Sequence, residues 1–186
     1  MKIRLAAYLQ SDSIVDGEGI RTVIWTQGCP HHCLGCQNFE TQDYNGGALV
    51  DIDEVKSMID ELKGQDGITF SGGDPFFQPG ACSILAKYAK EKGYNIWCYT
   101  GWTYEELLKI SKVKKEVMDF LRQIDVLVDG KFILELKSYN CIFRGSTNQR
   151  IIDIQKSLKQ NKTILVEKYV HPEVQESRKR PEGIYI

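Results

Sequence analysis

The chain has 186 residues, enough for one substantial hydrophobic core and too few for two ordinary domains joined by a linker. Hydrophobic residues make up 42% of the chain and charged residues 26%, which excludes a disordered or low-complexity protein. The formal net charge of −1 gives no general case for nucleic acid as a partner, and no segment approaches the roughly 20 apolar residues of a membrane span.

Strand and helix patterns alternate along most of the chain. In order, the sequence predicts a strand over 21–27, a helix over 51–64, a short strand from 67 into a glycine turn, a helix through 81–89 closed by Gly93, a strand over 95–101, one broken or two short helices over 103–124, and a strand over 125–132. Further on, 133–140 and 150–158 are ambiguous between helix and strand, and 162–170 is predicted as a last strand.

This alternation predicts an α/β fold with a mainly parallel sheet and outer helices. We expect one domain over 1–186, with a core from about 16 to 170 and a loose tail over 171–186. Such sheets place chemistry at the carboxyl ends of their strands, where the chain has the motifs CPHHCLGC, SGGDP, TGW and DGK.

The first residues lack the long apolar region and small-residue cleavage site of a secretory signal, so we expect a cytoplasmic protein. Thiols stay reduced in that compartment, and clustered cysteines there indicate metal or redox chemistry instead of disulfides. Of the six cysteines, Cys82, Cys98 and Cys141 stand alone.

The other three, Cys29, Cys33 and Cys36, lie close together with no fourth cysteine nearby. A zinc site would need His31 or His32 to complete it, although structural zinc sites usually draw their ligands from two separated stretches. An iron–sulfur cube takes one ligand per iron, so three cysteines leave one iron open to a small molecule. The residues favour the cluster and leave a zinc-binding interaction module as the alternative.

The spacing C-x3-C-x2-C, followed one βα unit later by SGGDP at 71–75, resembles the radical S-adenosylmethionine superfamily. The resemblance implies a partial (β/α) barrel of the radical SAM type, with a [4Fe–4S] cluster on Cys29, Cys33 and Cys36 and S-adenosylmethionine as the second cofactor. It also implies reductive cleavage of S-adenosylmethionine to methionine and a 5′-deoxyadenosyl radical, which makes the three cysteines the expected catalytic residues.

Two further stretches narrow the resemblance. Residues 13–38 resemble the opening of glycyl-radical activating enzymes, although Glu18 stands where their D-G-P-G-x-R motif has proline. VLVDGKF together with FRGSTNQRIID at 143–153 is most similar to the activating proteins of anaerobic ribonucleoside-triphosphate reductases. Gly35 agrees with that group, because many other superfamily members carry an aromatic residue there.

The narrower resemblance implies that the protein abstracts hydrogen from a glycine of the anaerobic (class III) reductase. The expected partners are the large subunit of that reductase and a flavodoxin-like or other low-potential electron donor. An activating enzyme of pyruvate formate-lyase, or of another glycyl-radical enzyme, is the alternative within this class.

The glycine turn is the first expected binding site for S-adenosylmethionine. Gly72 and Gly73 would let the backbone come close to the ligand with a positive φ, and Asp74 would accept a hydrogen bond from its amino group. Thr100 would hold the carboxylate or the ribose, and a simple turn at this position is an equal alternative.

The strand over 125–132 supplies a second pair of candidates. Asp129 and Lys131 are separated by one residue, so they could point to the same side, and the resemblance implies contact with the cosubstrate. A surface ion pair is the alternative. Gly35 and Gln37, which flank Cys36, complete the expected cofactor-binding residues.

Four other polar residues have weaker assignments. Arg144 and Asn148 would steady the polar groups of the ligand or dock the partner, although lone polar loop residues usually do neither. His31 and His32 are interpreted as solvent-facing loop residues or as contacts to the partner or the cosubstrate.

Overall fold

The structure, a computed structural model, describes residues 1–170, so the predicted loose tail at 171–186 lies outside the described residues. None of the helices in this part of the chain is both long and apolar enough to cross a bilayer. The strands are Lys2–Leu5 (β1), Gln10–Ser13 (β2), Arg21–Thr26 (β3), Ala48–Asp51 (β4), Gly67–Gly72 (β5), Asn95–Tyr99 (β6), Val126–Asp129 (β7) and Arg150–Asp153 (β8). The helices are Ile52–Asp60 (α1), Pro79–Glu91 (α2), Tyr104–Ile110 (α3), Lys115–Leu121 (α4) and Ile154–Gln160 (α5).

The strands form one mixed sheet with a mostly parallel centre. The strand order is β4-β1-β3-β5-β6-β7-β8, and β2 also pairs with β3. Strands β3, β5, β6 and β7 run parallel to one another, whereas β1, β2, β4 and β8 are antiparallel to their neighbours. The predicted α/β class is confirmed, with parallel pairing at the centre of the sheet and antiparallel strands on both sides of it, and the partial barrel stays a prediction.

The five helices pack on one face of the sheet. Ile96 and Cys98 of β6 belong to the core that the helices share, whereas Trp97 between them belongs to a second cluster. Successive side chains of a strand point to opposite faces, so the second cluster lies on the face opposite these five helices. Phe143 and Tyr169 cover it from the loop after β7 and from the end of the described chain.

Local sequence explains where several of these elements begin. Thr103 and Glu106 form a capping box at the start of α3, which separates the helix from the preceding turn. The segment predicted as one broken or two short helices forms two short helices, α3 and α4. The ambiguous segment 150–158 contains both a strand and a helix, because the Asp153 side chain accepts from Lys156 N at 2.9 Å and starts α5.

The predicted last strand over 162–170 is wrong. Leu165 forms a single bridge to Ile152, and the chain then enters a 3-10 turn at Glu167–Tyr169. Val166 and Tyr169, two of the alternating apolar residues that predicted a strand, pack against the second cluster and do not extend the sheet.

The helix-side core yields a stability prediction. Phe120 of α4 is fully buried between the rings of Phe70 and Phe76, with centroid distances of 5.3 and 4.9 Å. We expect Phe120→Ala to lower the free energy of unfolding by about 3–5 kcal/mol, because the substitution leaves a cavity that the surrounding elements fill only in part. Urea denaturation measures the loss. Val113→Ala, at a side chain that is 90% exposed, is the control, and equal stability of the two variants would contradict the described core.

Candidate active site

The loops that follow the parallel strands meet at one edge of the sheet. They line a cavity of about 680 Å³, with residues from the ends of β3, β5, β6 and β7 on its walls. Small-molecule sites usually measure roughly 300–1,000 Å³, so the cavity is of a size for a ligand such as a nucleoside derivative.

The loop that carries the three cysteines follows β3 and is anchored at both of its ends. The amide of Gly28 donates to the carbonyl of Thr41 at 2.8 Å, which brings the entry of the loop beside its exit. The buried side chain of Gln27 donates to the carbonyl of Asp43 at 2.7 Å. The loop therefore has a fixed base on the sheet, although residues 29–38 form no helix or strand.

All three thiols of this loop line the cavity, at intermediate burial. Burial raises the pKa of Cys29 to about 11, and the nearby backbone amide of His31 opposes that shift. Burial likewise raises the pKa of Cys33, and the nearby backbone amide of Phe132 opposes the rise. One of these amides belongs to the cysteine loop and the other to the loop after β7, and both favour the charged form of a sulfur.

The glycine turn after β5 packs directly against the start of the cysteine loop. Gly72 has a φ of +98°, and a Cβ on Gly73 would lie 2.4 Å from the carbonyl oxygen of Gly28. The amide of Gly73 donates to Thr26 O at 2.7 Å. These glycines are required for the approach of two backbone segments to each other, a constraint that exists before any ligand is present.

Asp74 lies at the centre of the site with only 1% of its surface exposed. Its Oδ1 accepts from Phe76 N at 2.9 Å and from the Thr100 hydroxyl at 3.0 Å. Its Oδ2 lies 3.0 Å from Gly101 N, 2.9 Å from the same hydroxyl and 2.7 Å from His31 Nε2. The carboxylate therefore joins the turn after β5, the turn after β6 and the cysteine loop.

The side chain of His31 is buried, and a solvent-facing position does not describe it. It is 3% exposed, bonds to Asp74 and packs edge-on against Trp102 with ring centroids 4.8 Å apart. His32 is exposed as expected, and its Nδ1 lies 3.3 Å from Gln42 Oε1. The sequence could not separate the two histidines, because only the contact between the cysteine loop and the turn after β6 buries one of them.

Asp129 points away from the cavity, contrary to the expectation that it lies beside Lys131 on the ligand. Val128 faces the second cluster, so Asp129 faces the helix side, where it is 1% exposed. Its carboxylate accepts from Tyr104 N at 2.7 Å and from Arg150 Nε at 2.9 Å. Asp129 therefore fixes the start of α3 and pairs with β8.

Lys131 is exposed and does not line the cavity, although its positive charge opposes the rise in the pKa of Cys33. Its carbonyl accepts from Asn148 Nδ2 at 2.8 Å. Arg144 lines the cavity and donates to the carbonyl oxygens of Gln149 and Tyr169 at 3.1 and 3.3 Å. Arg144 and Asn148 thus both organise the loop after β7.

The remaining expected site residues divide between the cavity and its surroundings. Gly35 is outside the lining, with a φ of +72° and Leu134 beside its Cα. The expected residues that line the cavity are Cys29, Cys33, Cys36, Gln37, Gly72, Gly73, Asp74 and Thr100.

Several polar residues of the cavity had no role assigned from the sequence, and Asp16 and Tyr99 are two of them. Asp16 lies in the motif before β3 but had no assigned role, and Tyr99 is the last residue of β6. Burial raises the pKa of the Tyr99 phenol, and the neighbouring Asp16 charge adds to the rise. The signal for Tyr99 was its place at a strand end, next to Thr100.

The donor set fits a cluster of several irons. Among residues 1–170, no three His, Cys, Asp or Glu side chains lie close enough to share one metal ion. A [4Fe–4S] cube does not require its cysteines to share an ion, because each thiolate binds a different iron. Three thiols that line the same cavity match that requirement.

Comparison with known proteins gives two results. Residues 15–152 match the family model described as a 4Fe-4S single cluster domain. The chain is 34% identical to the anaerobic ribonucleoside-triphosphate reductase-activating protein of Haemophilus influenzae over 154 residues, which cover 77% of this chain and 96% of the relative. It is 37% identical to the protein of the same name from Salmonella typhimurium, over 73% of this chain and 90% of the relative, and 32% identical to that of Enterobacteria phage T4, over 74% and 86%.

The position of Asp74 yields a second stability prediction. We expect Asp74→Ala to lower the free energy of unfolding by about 3 kcal/mol or more, because it leaves several buried donors without an acceptor. Asp43→Ala removes an exposed carboxylate near the same loop and should change the free energy of unfolding by about 0.5 kcal/mol or less. Denaturant unfolding of the cluster-free chain compares the two. A loss in Asp74→Ala no larger than in the control would show that the carboxylate does not hold the loops together.

Proposed function

Because this chain belongs to the family of anaerobic ribonucleoside-triphosphate reductase-activating proteins and carries a 4Fe-4S single cluster domain, we propose that it is a radical S-adenosylmethionine enzyme that activates such a reductase. In this proposal it is a glycyl-radical activating enzyme, and the hydrogen it removes comes from a glycine of the reductase.

One observation carries the proposal. The three-cysteine loop and the Gly-Gly-Asp-Pro turn, which are 35 or more residues apart in the sequence, form adjoining walls of the same cavity at the carboxyl ends of parallel strands. Helices on a single face of the sheet support the partial barrel expected for such an enzyme, with the cavity at its open edge.

Cys29, Cys33 and Cys36 are the residues that would hold the cluster. When bound, the cluster supplies one electron to the sulfonium of S-adenosylmethionine, which separates into methionine and a 5′-deoxyadenosyl radical. The backbone amides of His31 and Phe132 lie near the sulfurs of Cys29 and Cys33 and lower the pKa of these thiols, which favours the thiolates that the cluster would need.

The chain's other residues position the cosubstrate. The Gly72–Gly73 backbone forms the wall next to the cysteine loop, and Thr100 is fixed by its bond to Asp74. Asp16 and Tyr99 add a carboxylate and a phenol to the same cavity. In our proposal these groups hold the amino acid and ribose ends of S-adenosylmethionine so that the reacting bond lies against the cysteine loop.

The proposed partner follows from the names of the relatives, which describe activation of an anaerobic ribonucleoside-triphosphate reductase. The electron donor in the proposal is a flavodoxin-like or other low-potential protein. A zinc module is not favoured, because residues 15–152 match a 4Fe-4S single cluster domain and, among residues 1–170, no three His, Cys, Asp or Glu side chains lie close enough to hold one metal ion.

Substitution of single cysteines tests the cluster ligands. We expect Cys29→Ala, Cys33→Ala and Cys36→Ala each to lose the bound cluster after anaerobic reconstitution, because no thiolate is spare when three serve four irons. Cys141→Ala is the matched control, since Cys141 lines the same cavity outside the motif. Iron and acid-labile sulfide per chain are the measurement. Full iron in any of the first three variants, or a colourless wild-type chain with one zinc, would contradict the assignment.

Activation itself is tested by electron paramagnetic resonance. Reduced, reconstituted chain mixed with the anaerobic reductase and S-adenosylmethionine should give a glycyl radical on the reductase and one 5′-deoxyadenosine per radical, because hydrogen abstraction forms both. Cys29→Ala in the same mixture should give neither.

Pyruvate formate-lyase in place of the reductase tests the alternative partner. A radical on the lyase and none on the reductase would reassign the partner while leaving the chemistry intact. Absence of 5′-deoxyadenosine from the reduced wild-type chain under all conditions would reject the chemistry.

A further inference from the structure

His31 is one of the residues that line the cavity, although its side chain is only 3% exposed. A Cβ on Gly101 would lie 2.3–2.7 Å from Cδ2, Cγ and Nε2 of the ring, so that part of the ring is packed against the turn after β6. Nδ1 has no partner among residues 1–170 and is not one of the fully buried unpaired side-chain atoms, so it keeps a small accessible area for a ligand.

The carboxylate of Asp74 has no capacity left for a ligand. A carboxylate offers about four acceptor positions on its two oxygens. Four donors already use them, namely Phe76 N, the Thr100 hydroxyl, Gly101 N and His31 Nε2. Together with its 1% exposure, this removes Asp74 from direct contact with a molecule in the cavity.

The bond to Asp74 fixes the hydrogen-bonding role of His31. An ionised carboxylate only accepts, so the proton of the 2.7 Å contact lies on Nε2. In the neutral ring Nδ1 then carries the lone pair. The bond to Asp74 is the one hydrogen bond of the His31 ring to residues 1–170, so Nδ1 is available as an acceptor.

We infer that His31 Nδ1 accepts a hydrogen bond from the amino group of S-adenosylmethionine, the role that the sequence assigns to Asp74. The inference rests on the proposed function, since it names a contact within that cavity. Asp74 acts behind His31 as a positioning residue that fixes the tautomer and the orientation of the ring, in the way that a carboxylate bonded to the other nitrogen orients a metal-binding histidine. Gly101 is required because any side chain there would displace the ring.

The experiment is a titration of S-adenosylmethionine into the anaerobically reconstituted full-length chain, with the cluster spectrum as readout. We expect His31→Ala and His31→Asn to keep wild-type iron and sulfide and to bind S-adenosylmethionine about tenfold more weakly, the usual effect of losing one such hydrogen bond. Imidazole in the buffer should recover part of the affinity of His31→Ala, because it can occupy the space next to Asp74.

His32→Asn is the matched control. His32 lies in the same loop, is exposed and is absent from the cavity lining, and its φ of +48° is one that asparagine tolerates. Its affinity for S-adenosylmethionine and its iron content should equal those of the wild type.

Two analogues identify the group that His31 contacts. For deaminated S-adenosylmethionine, the wild type and His31→Ala should have the same Kd, because the contact is already missing. For decarboxylated S-adenosylmethionine, which keeps the amino group, the tenfold difference should remain.

Each other outcome overturns the inference in a distinct way. Unchanged affinity in both His31 variants removes the residue from the binding site, and loss of iron from both variants makes it a support or a ligand of the cluster. A tenfold difference that disappears with the decarboxylated analogue assigns the contact to the carboxylate instead. A wild-type chain that holds its cluster and does not bind S-adenosylmethionine overturns the proposed function, and this inference with it.

Discussion

The buried carboxylate of Asp74 is the interaction on which the arrangement of the site depends. Removing a carboxylate from water is costly unless donors replace the lost hydration, and here donors from three separate loops do so. Those loops follow β3, β5 and β6, which are neighbours in the sheet. A single ionised group therefore sets the distance between the cysteine loop and the two turns that face it.

The two faces of the sheet are covered by different parts of the chain. The face with the helices contains the main core, and its packing fixes the parallel strands from which the loops emerge. The other face is closed by few groups: Tyr169 packs on Trp97 and Phe143, its carbonyl accepts from Arg144, and Glu18 pairs with Lys168. The segments 14–18 and 141–145 both contribute residues to the cavity lining, and contacts with the segment 167–170 thus connect them.

The surroundings of the Cys29 and Cys33 thiols favour metal binding over the reactions of a free thiol. Burial raises the pKa of Cys29 and Cys33, which disfavours their charged form in the cluster-free chain. The nearby amides of His31 and Phe132 oppose that rise, and the hydrogen bond from Gly28 to Thr41 closes the loop at its base. The loop is therefore organised before a metal centre is present, and the metal supplies the charge that stabilises the thiolates.

The sequence by itself determined the alternation of strands and helices, the three-cysteine spacing and the glycine turn, because periodicity and spacing along the chain are properties of local sequence. It could not determine which side chains meet across loops. Only the tertiary structure decided that Asp74 binds protein donors, that His31 is buried while His32 is exposed, and that Asp129 faces α3. Each of these depends on strand order and on the face to which a strand's last residue points, and neither is encoded within a few residues of the side chain concerned.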